Sequence, residues 1–219
     1  MKRKTLLFIT SLLCFATVTH AQIPKGSTLL GGGVGFFTSK EKQEGTESGK
    51  SNSVHIFPAW GKAIKENTIL GVTLECSYYD YNNHYSGYVD QKFSNYGASV
   101  FLRKYVLVAN RFYIFGQGNA GGGYSTSKVY YSNYQNSSKG WNAGISLFPG
   151  VSYAVNKKFH LEAGFNNLAY IEFSHTKTTD GSAPGNSGII KTNGFSLGSD
   201  LDSFSSLYLG FRFLLTKNS

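Results

Sequence analysis

Residues 141–153 read WNAGISLFPGVSY, and every second position of that run is apolar. Trp141, Ala143, Ile145, Leu147, Pro149, Val151 and Tyr153 fall on one face of an extended chain, and Asn142, Gly144, Ser146, Phe148, Gly150 and Ser152 on the other. Successive side chains of a strand point to opposite sides, so this period of two predicts a β-strand with one apolar face, which Phe148 alone interrupts. A tilted strand crosses a hydrocarbon layer in roughly 9–11 residues, and this run is longer than that.

The same alternation recurs on both sides of it. Leu70, Val72, Leu74, Cys76 and Tyr78 lie opposite Ile69, Gly71, Thr73, Glu75 and Ser77. Weaker versions place Val54, Ile56, Pro58 and Trp60 on one face, and likewise Ala98, Val100 and Leu102. Towards the end, Phe159, Leu161, Ala163 and Phe165 share a face, as do Leu207, Leu209, Phe211 and Phe213. With residues 27–38 and 111–124 the count is eight strands, and no stretch repeats at a helical period.

The connections alternate as well. Residues 39–51, 80–92, 125–139 and 174–193 read as long polar loops, whereas 61–67, 105–110 and 154–158 are short. An even strand number with long connections on one side and tight turns on the other is the pattern of an outer-membrane barrel. The sequence therefore predicts an all-β fold, an eight-stranded antiparallel up-and-down transmembrane β-barrel over residues 22–219, with four external loops and both termini periplasmic. Closure pairs every backbone group and leaves no edge facing lipid.

Composition agrees. The chain has 219 residues, 16% aromatics, 26 glycines and only 15% charged residues, as an ordered, glycine-punctuated β protein would. Residues 1–21 carry Lys2, Arg3 and Lys4, an apolar run from Leu6 to Val18 and a small-residue end at Ala21, the three parts of a signal peptide cleaved before Gln22. Its apolar run is shorter than the ~20 residues of a spanning helix, and Leu13 before Cys14 argues against a lipoprotein signal. Losing three of 21 cations and none of 12 acids lowers the formal charge from +9 to +6. Cys76 is then the single remaining cysteine, so no intramolecular disulfide can form. Export and the modest charge argue against nucleic acid as a partner.

Aromatic residues gather at the expected strand ends. Trp60, Tyr105, Phe112, Tyr153 and Phe159 lie by the short turns, and Tyr78, Tyr96, Tyr124 and Trp141 by the long loops, as two interfacial girdles would.

Several motifs carry the resemblance of this chain to a known family. They are Phe101-Leu102-Arg103-Lys104-Tyr105 at the foot of one strand and Arg111-Phe112-Tyr113-Ile114-Phe115 at the start of the next. Phe57-Pro58-Ala59-Trp60-Gly61 and Phe148-Pro149-Gly150-Val151-Ser152-Tyr153 precede two of the turns. In these the chain resembles the small outer-membrane β-barrel domain family common in Bacteroidota, related in architecture to the OmpA and OmpX barrels. The resemblance implies outer-membrane lipid and lipopolysaccharide as surroundings, folding through the barrel assembly machinery, and a monomer. Such barrels often end on an aromatic residue, whereas here Phe213 is followed by Leu214-Leu215-Thr216-Lys217-Asn218-Ser219.

Motifs of other chemistries fail on context. Gly116-Gln117-Gly118-Asn119-Ala120-Gly121 spells G-x-G-x-x-G, but no helical pattern follows it, and no acid lies between Asp90 and Glu162 to hold a ribose. Gly194-Phe195-Ser196-Leu197-Gly198 spells G-x-S-x-G, yet the last histidine, His175, precedes it, opposite to the hydrolase order. The histidines are too dispersed for a metal site, and no cofactor is implied. Lys40, Lys42, Lys50, Lys128, Lys139, Lys177 and Lys191 near the loops are placed to meet anionic lipopolysaccharide head groups. Loop tyrosines, among them Tyr79, Tyr81, Tyr85, Tyr88, Tyr130, Tyr131 and Tyr134, offer a surface to an extracellular partner.

The inward parity collects a polar set: His55, Glu75, Arg103, Gln117, Asn119, His160, Glu162 and Arg212. An eight-stranded barrel has an interior just wide enough for side chains to fill, and enclosed charges are costly unless paired. The expected pairs are Glu75 with Arg103 and Glu162 with Arg212. These features favour a non-catalytic barrel acting in envelope structure or in surface interaction through its loops. A narrow pore or small-ligand conduit is the first alternative, and a lipid-modifying barrel enzyme centred on His160 and Glu162 the second.

Overall fold

The computed structural model describes residues 23–43, 46–83, 89–165, 168–181, 188–199 and 207–215, so residues 1–21 lie outside the described residues. Each period-two segment forms an antiparallel strand. In chain order these are β1 (Thr28–Gln43), β2 (Thr46–Lys65), β3 (Thr68–Asn83), β4 (Val89–Ala109), β5 (Phe112–Tyr130), β6 (Gln135–Ala154), β7 (Phe159–Phe165), β8 (Ala169–Asp180), β9 (Gly188–Gly198) and β10 (Leu207–Leu215).

The ten segments make eight staves. The two ends of β6 have different partners: Gly150–Ala154 pairs with Gly164–His160 of β7, and Ser137–Leu147 with Thr179–Ala169 of β8. β7 and β8 are thus one interrupted stave. β10 pairs with β7 and β9 with β8, and these two form the last stave. The barrel closes where Thr28–Gly32 of β1 meets Leu215–Phe211 of β10.

The segments expected as long loops are largely strand. β1 and β2 remain paired to Gln43 and Thr46, β3 and β4 to Asn83 and Val89, and β8 and β9 to Asp180 and Gly188. Between β5 and β6 only residues 131–134 are left, where the Tyr131 N–H donates to the Tyr134 carbonyl and the two rings stack at 4.4 Å. Apolar alternation stops where lipid stops, whereas Thr, Tyr, Ser and Val still favour a pleated backbone with water on both faces. The described parts of the connections expected to be external are therefore hairpin extensions of the wall. Tyr85 and Tyr88 lie outside the described residues.

The outer surface carries the apolar parity. Ile145, Leu147 and Val151 are each about half exposed, as are Leu70, Val72, Leu74, Val100 and Leu102. Above this band Tyr96, Tyr124, Trp141 and His175 stand opposite one another on β4, β5, β6 and β8, forming one aromatic row around the wall. Below it Phe112 faces Tyr153 with ring centroids 4.8 Å apart, Phe159 faces Phe213 at 5.1 Å, and Trp60 lies opposite Leu30. Along β6 the two rows are separated by the run from Trp141 to Tyr153, roughly 30 Å along the axis at ordinary rise and tilt. That matches a hydrocarbon layer.

The lower half of the interior is a packed core. Ile23, Leu29, Ile69, Phe101, Tyr105, Tyr113, Phe115 and Leu214 are all buried there. Rings fit because glycines face them: a methyl placed on Gly71 would lie 2.5 Å from Phe101 Cζ, on Gly150 2.4 Å from Phe115 Cζ, and on Gly33 2.3 Å from Phe57 Cζ. Each phenylalanine ring sits against a glycine of a neighbouring strand, in space that a side chain there would take. The N-terminal segment ties the base shut. The Ile23 N–H donates to Asn67 Oδ1 and the Asn67 N–H to the Ile23 carbonyl, both at 2.9 Å. Asn67 adopts φ 55° in the β2–β3 turn, a conformation that asparagine tolerates better than most residues.

Candidate functional site

The polar residues of the inward parity all point into the barrel, but they separate into two layers. The lower layer is a buried ionic cluster. Arg103 on β4 and Glu162 on β7 lie across the interior from each other, with side chains 1% and 0% exposed. Arg103 Nη1 donates to both Glu162 oxygens, at 2.8 and 2.7 Å. Arg212 on β10 approaches from the other side, its Nε 3.3 Å from Glu162 Oε2, and its Nη1 donates to the carbonyls of Gly32 and Phe211.

This corrects one of the expected pairs. Glu162 with Arg212 is present in the geometry, but Glu75 does not meet Arg103. Ile69, not Glu75, is the register partner of Arg103 on β3, and Glu75 lies opposite Gly97, three inward positions higher. Glu75 instead accepts from Asn95 Nδ2 at 3.1 Å, with His55 Nε2 4.0 Å away. Arg103 reaches across the lumen because its own strand neighbours at that height are apolar or uncharged. Its Nε donates to Gln117 Oε1 at 2.5 Å, and the guanidinium lies over the Phe115 ring at 4.3 Å.

Tyr105 is a second correction. Expected in the lower aromatic girdle, it is 2% exposed and faces inward, with its hydroxyl donating to Glu162 Oε1 at 2.7 Å and accepting from Arg103 Nη1 at 3.0 Å. It lies two residues from Arg103 and must share its face, and the strand continues past the position where a turn was expected. Trp60, Tyr78, Tyr96, Phe112, Tyr124 and Trp141 are 44–56% exposed on the outer face, and Tyr153 and Phe159 are half-buried there.

His160 is also at the base. Its Nδ1 is 3.2 Å from Ser152 Oγ, both residues are buried, and the ring packs against Tyr113 at 5.6 Å. Glu162 is held by Arg103, Arg212 and Tyr105, and His160, Ser152 and Glu162 lie outside the lining of the lumen cavity above them.

Above the cluster lies an open vestibule of about 610 Å³. Its floor is Arg103, Gln117, Phe148 and Arg212, and its walls include His55, Glu75, Asn95, Asn119, Asn142 and Glu172. Gln117 Nε2 donates to Asn119 Oδ1 at 2.6 Å, Asn119 to Ser146 Oγ at 3.2 Å, and Asn142 to Glu172 Oε2 at 2.7 Å. The His55 and Glu75 side chains are 45% and 44% exposed, so the vestibule is open to solvent. Asn95 and Glu172 are the polar residues that sequence parity had left unassigned. Glu172 lies in a stretch whose alternation, Ile171 and Phe173 outward, was short and merged with a polar loop.

Gly116–Gly121 lies wholly inside β5, with Gln117 and Asn119 inward, and Gly194–Gly198 inside β9. Neither forms the strand-to-helix turn that its motif needs.

The antiparallel closed wall, apolar outside and ionic within, defines an outer-membrane β-barrel protein. The family model of the outer membrane protein beta-barrel domain matches residues 7–201, and the chain belongs to that family. Its location is accordingly the outer membrane. Among solved structures it is similar to the crystal structure of Neisserial surface protein A (NspA), at 16% identity and a TM-score of 0.35, covering 86% of this chain and 96% of that one. No curated protein matches it.

Proposed function

We propose that this protein is a non-catalytic, non-conducting barrel, exported behind a cleaved segment 1–21, that serves envelope structure or surface interaction through its external hairpins. The observation that carries this reading is the closed lower lumen. Arg103, Glu162 and Arg212 span it, Phe101, Tyr105, Tyr113 and Phe115 fill the space around them, and Ile23 and Leu214 lie at the base. An ion would have to break a buried ion pair and displace close-packed rings. The protein assembles as a monomer through the barrel machinery, its wall joined at the base by the pairing of β1 with β10.

Planar-bilayer recording tests it. Wild type is expected at baseline, and discrete conductance steps would overturn the reading. Lipid A extracted after expression of wild type and of His160→Ala is expected to be identical and unmodified. Modification by wild type alone would establish the enzyme instead.

A further inference from the structure

The outer hairpins place lysines opposite lysines. On β6, β8 and β9, Lys139 is the register partner of Lys177, and Lys177 of Lys191. All three are exposed and share the outward parity of Trp141, Phe173 and Phe195. Directly opposed strand residues stand about 4.5–5.5 Å apart, and like charges there destabilise a sheet.

Among the register partners and nearest same-face residues of these strands that the structure describes, none is an acid. The outward neighbours of the row are Thr126 beside Lys139, Ser137, Thr179 and Ile189 on the side of the hairpin tips, and Trp141, His175 and Asn193 on the other. Three lysines therefore stand side by side, with hydroxyl, amide, aromatic and aliphatic side chains as their described neighbours. The row stands one outward position above Trp141 and His175, whose rings are 6.1 Å apart in the upper aromatic row. Aromatic rows mark the boundary between hydrocarbon and head groups. The lysines thus stand at head-group height.

We propose that Lys139, Lys177 and Lys191 form a site for the phosphate of an outer-leaflet phosphorylated glycolipid. Its acyl chains would run down the apolar wall past Ile145, Ile171 and Phe195, which are exposed on the same three strands. A lipid-borne phosphate is favoured over a free anion because exposed charges hold a small ion weakly, whereas burial of the acyl chains keeps the phosphate at the row. The proposal rests on the outward orientation of the hairpins given above.

The test uses the full mature chain folded in neutral detergent, with thermal unfolding and native mass spectrometry as readouts. Bisphosphorylated lipid A is expected to remain bound and to raise the unfolding midpoint; chemically dephosphorylated lipid A is not. The Lys139→Gln/Lys177→Gln/Lys191→Gln variant is expected to lose roughly tenfold or more in lipid A affinity. Without lipid it should unfold at the same temperature as wild type or higher, because the repulsion is gone, so the order of the two proteins reverses when lipid A is added. Lys62→Gln, at the opposite end of the barrel, serves as the control and should behave as wild type. Equal binding of phosphorylated and dephosphorylated lipid, unchanged affinity in the triple variant, or equal stabilisation by about 10 mM inorganic phosphate would each overturn the proposal. Orientation is read separately, by labelling Asn133→Cys in a Cys76→Ser background on intact cells. Failure there would reject the outward hairpins and leave the binding result standing.

Discussion

Arg103 and Glu162 meet across the barrel interior at 2.7 Å, both essentially without solvent. They come from β4 and β7, strands that are not neighbours in the wall. The pair is a strut through the lumen, and Arg212 completes it from β10. One carboxylate between two guanidiniums makes Glu162 the member whose removal matters most.

Glu162→Gln leaves both arginines enclosed without their counter-charge. Breaking a buried pair from one side costs about 3–5 kcal/mol, whereas replacing it with apolar residues costs far less. In urea unfolding of the refolded barrel, Glu162→Gln should lose stability on that scale. A loss below about 1 kcal/mol would mean that water penetrates the cluster and the strut is not structural.

Tyr105→Phe separates a lumen role from a girdle role. It removes only the hydroxyl that donates to Glu162 at 2.7 Å. Leaving a buried charged acceptor short of a partner should cost about 1–3 kcal/mol. Phenylalanine at an interfacial girdle position would be nearly silent, so an unchanged unfolding midpoint would restore the girdle assignment.

Gly71 and Gly116 should respond oppositely to alanine. A methyl at Gly71 would lie 2.4 Å from the Trp60 carbonyl oxygen and 2.5 Å from Phe101, whereas nothing lies within 4 Å of one at Gly116. Overpacking of this kind costs about 1–3 kcal/mol. On gels of unheated and heated samples, Gly71→Ala should show a reduced folded fraction and Gly116→Ala a normal one.

Charge on the outer wall should be judged by depth. Leu147 sits mid-band between Trp141 and Tyr153, and Leu147→Arg should cost about 2–4 kcal/mol in lipid, against about 0–1 for Trp141→Arg at the interface. Equal costs at both positions would argue that this face does not meet hydrocarbon.

The alternation of Trp141–Tyr153 and its counterparts was enough for fold class, membrane and face, because a period of two assigns every side chain to lipid or lumen once one is known. It placed Arg103, Glu162 and Arg212 inside. It did not show that residues 39–43, 46–51, 174–180 and 188–193 stay in the wall, since polar residues on both faces leave no period to read.

Sequence alone therefore determined the barrel, its inward polar set and most of its aromatic girdles, all local consequences of side-chain parity. Tertiary structure decided the partners. Whether Arg103 meets Glu75 or Glu162, and whether Lys177 stands between two lysines, depends on register between strands and on distance across the lumen. Parity says which face a residue takes, not its height along the barrel. Height follows from stagger summed around the closed wall, and only the folded chain fixes that sum.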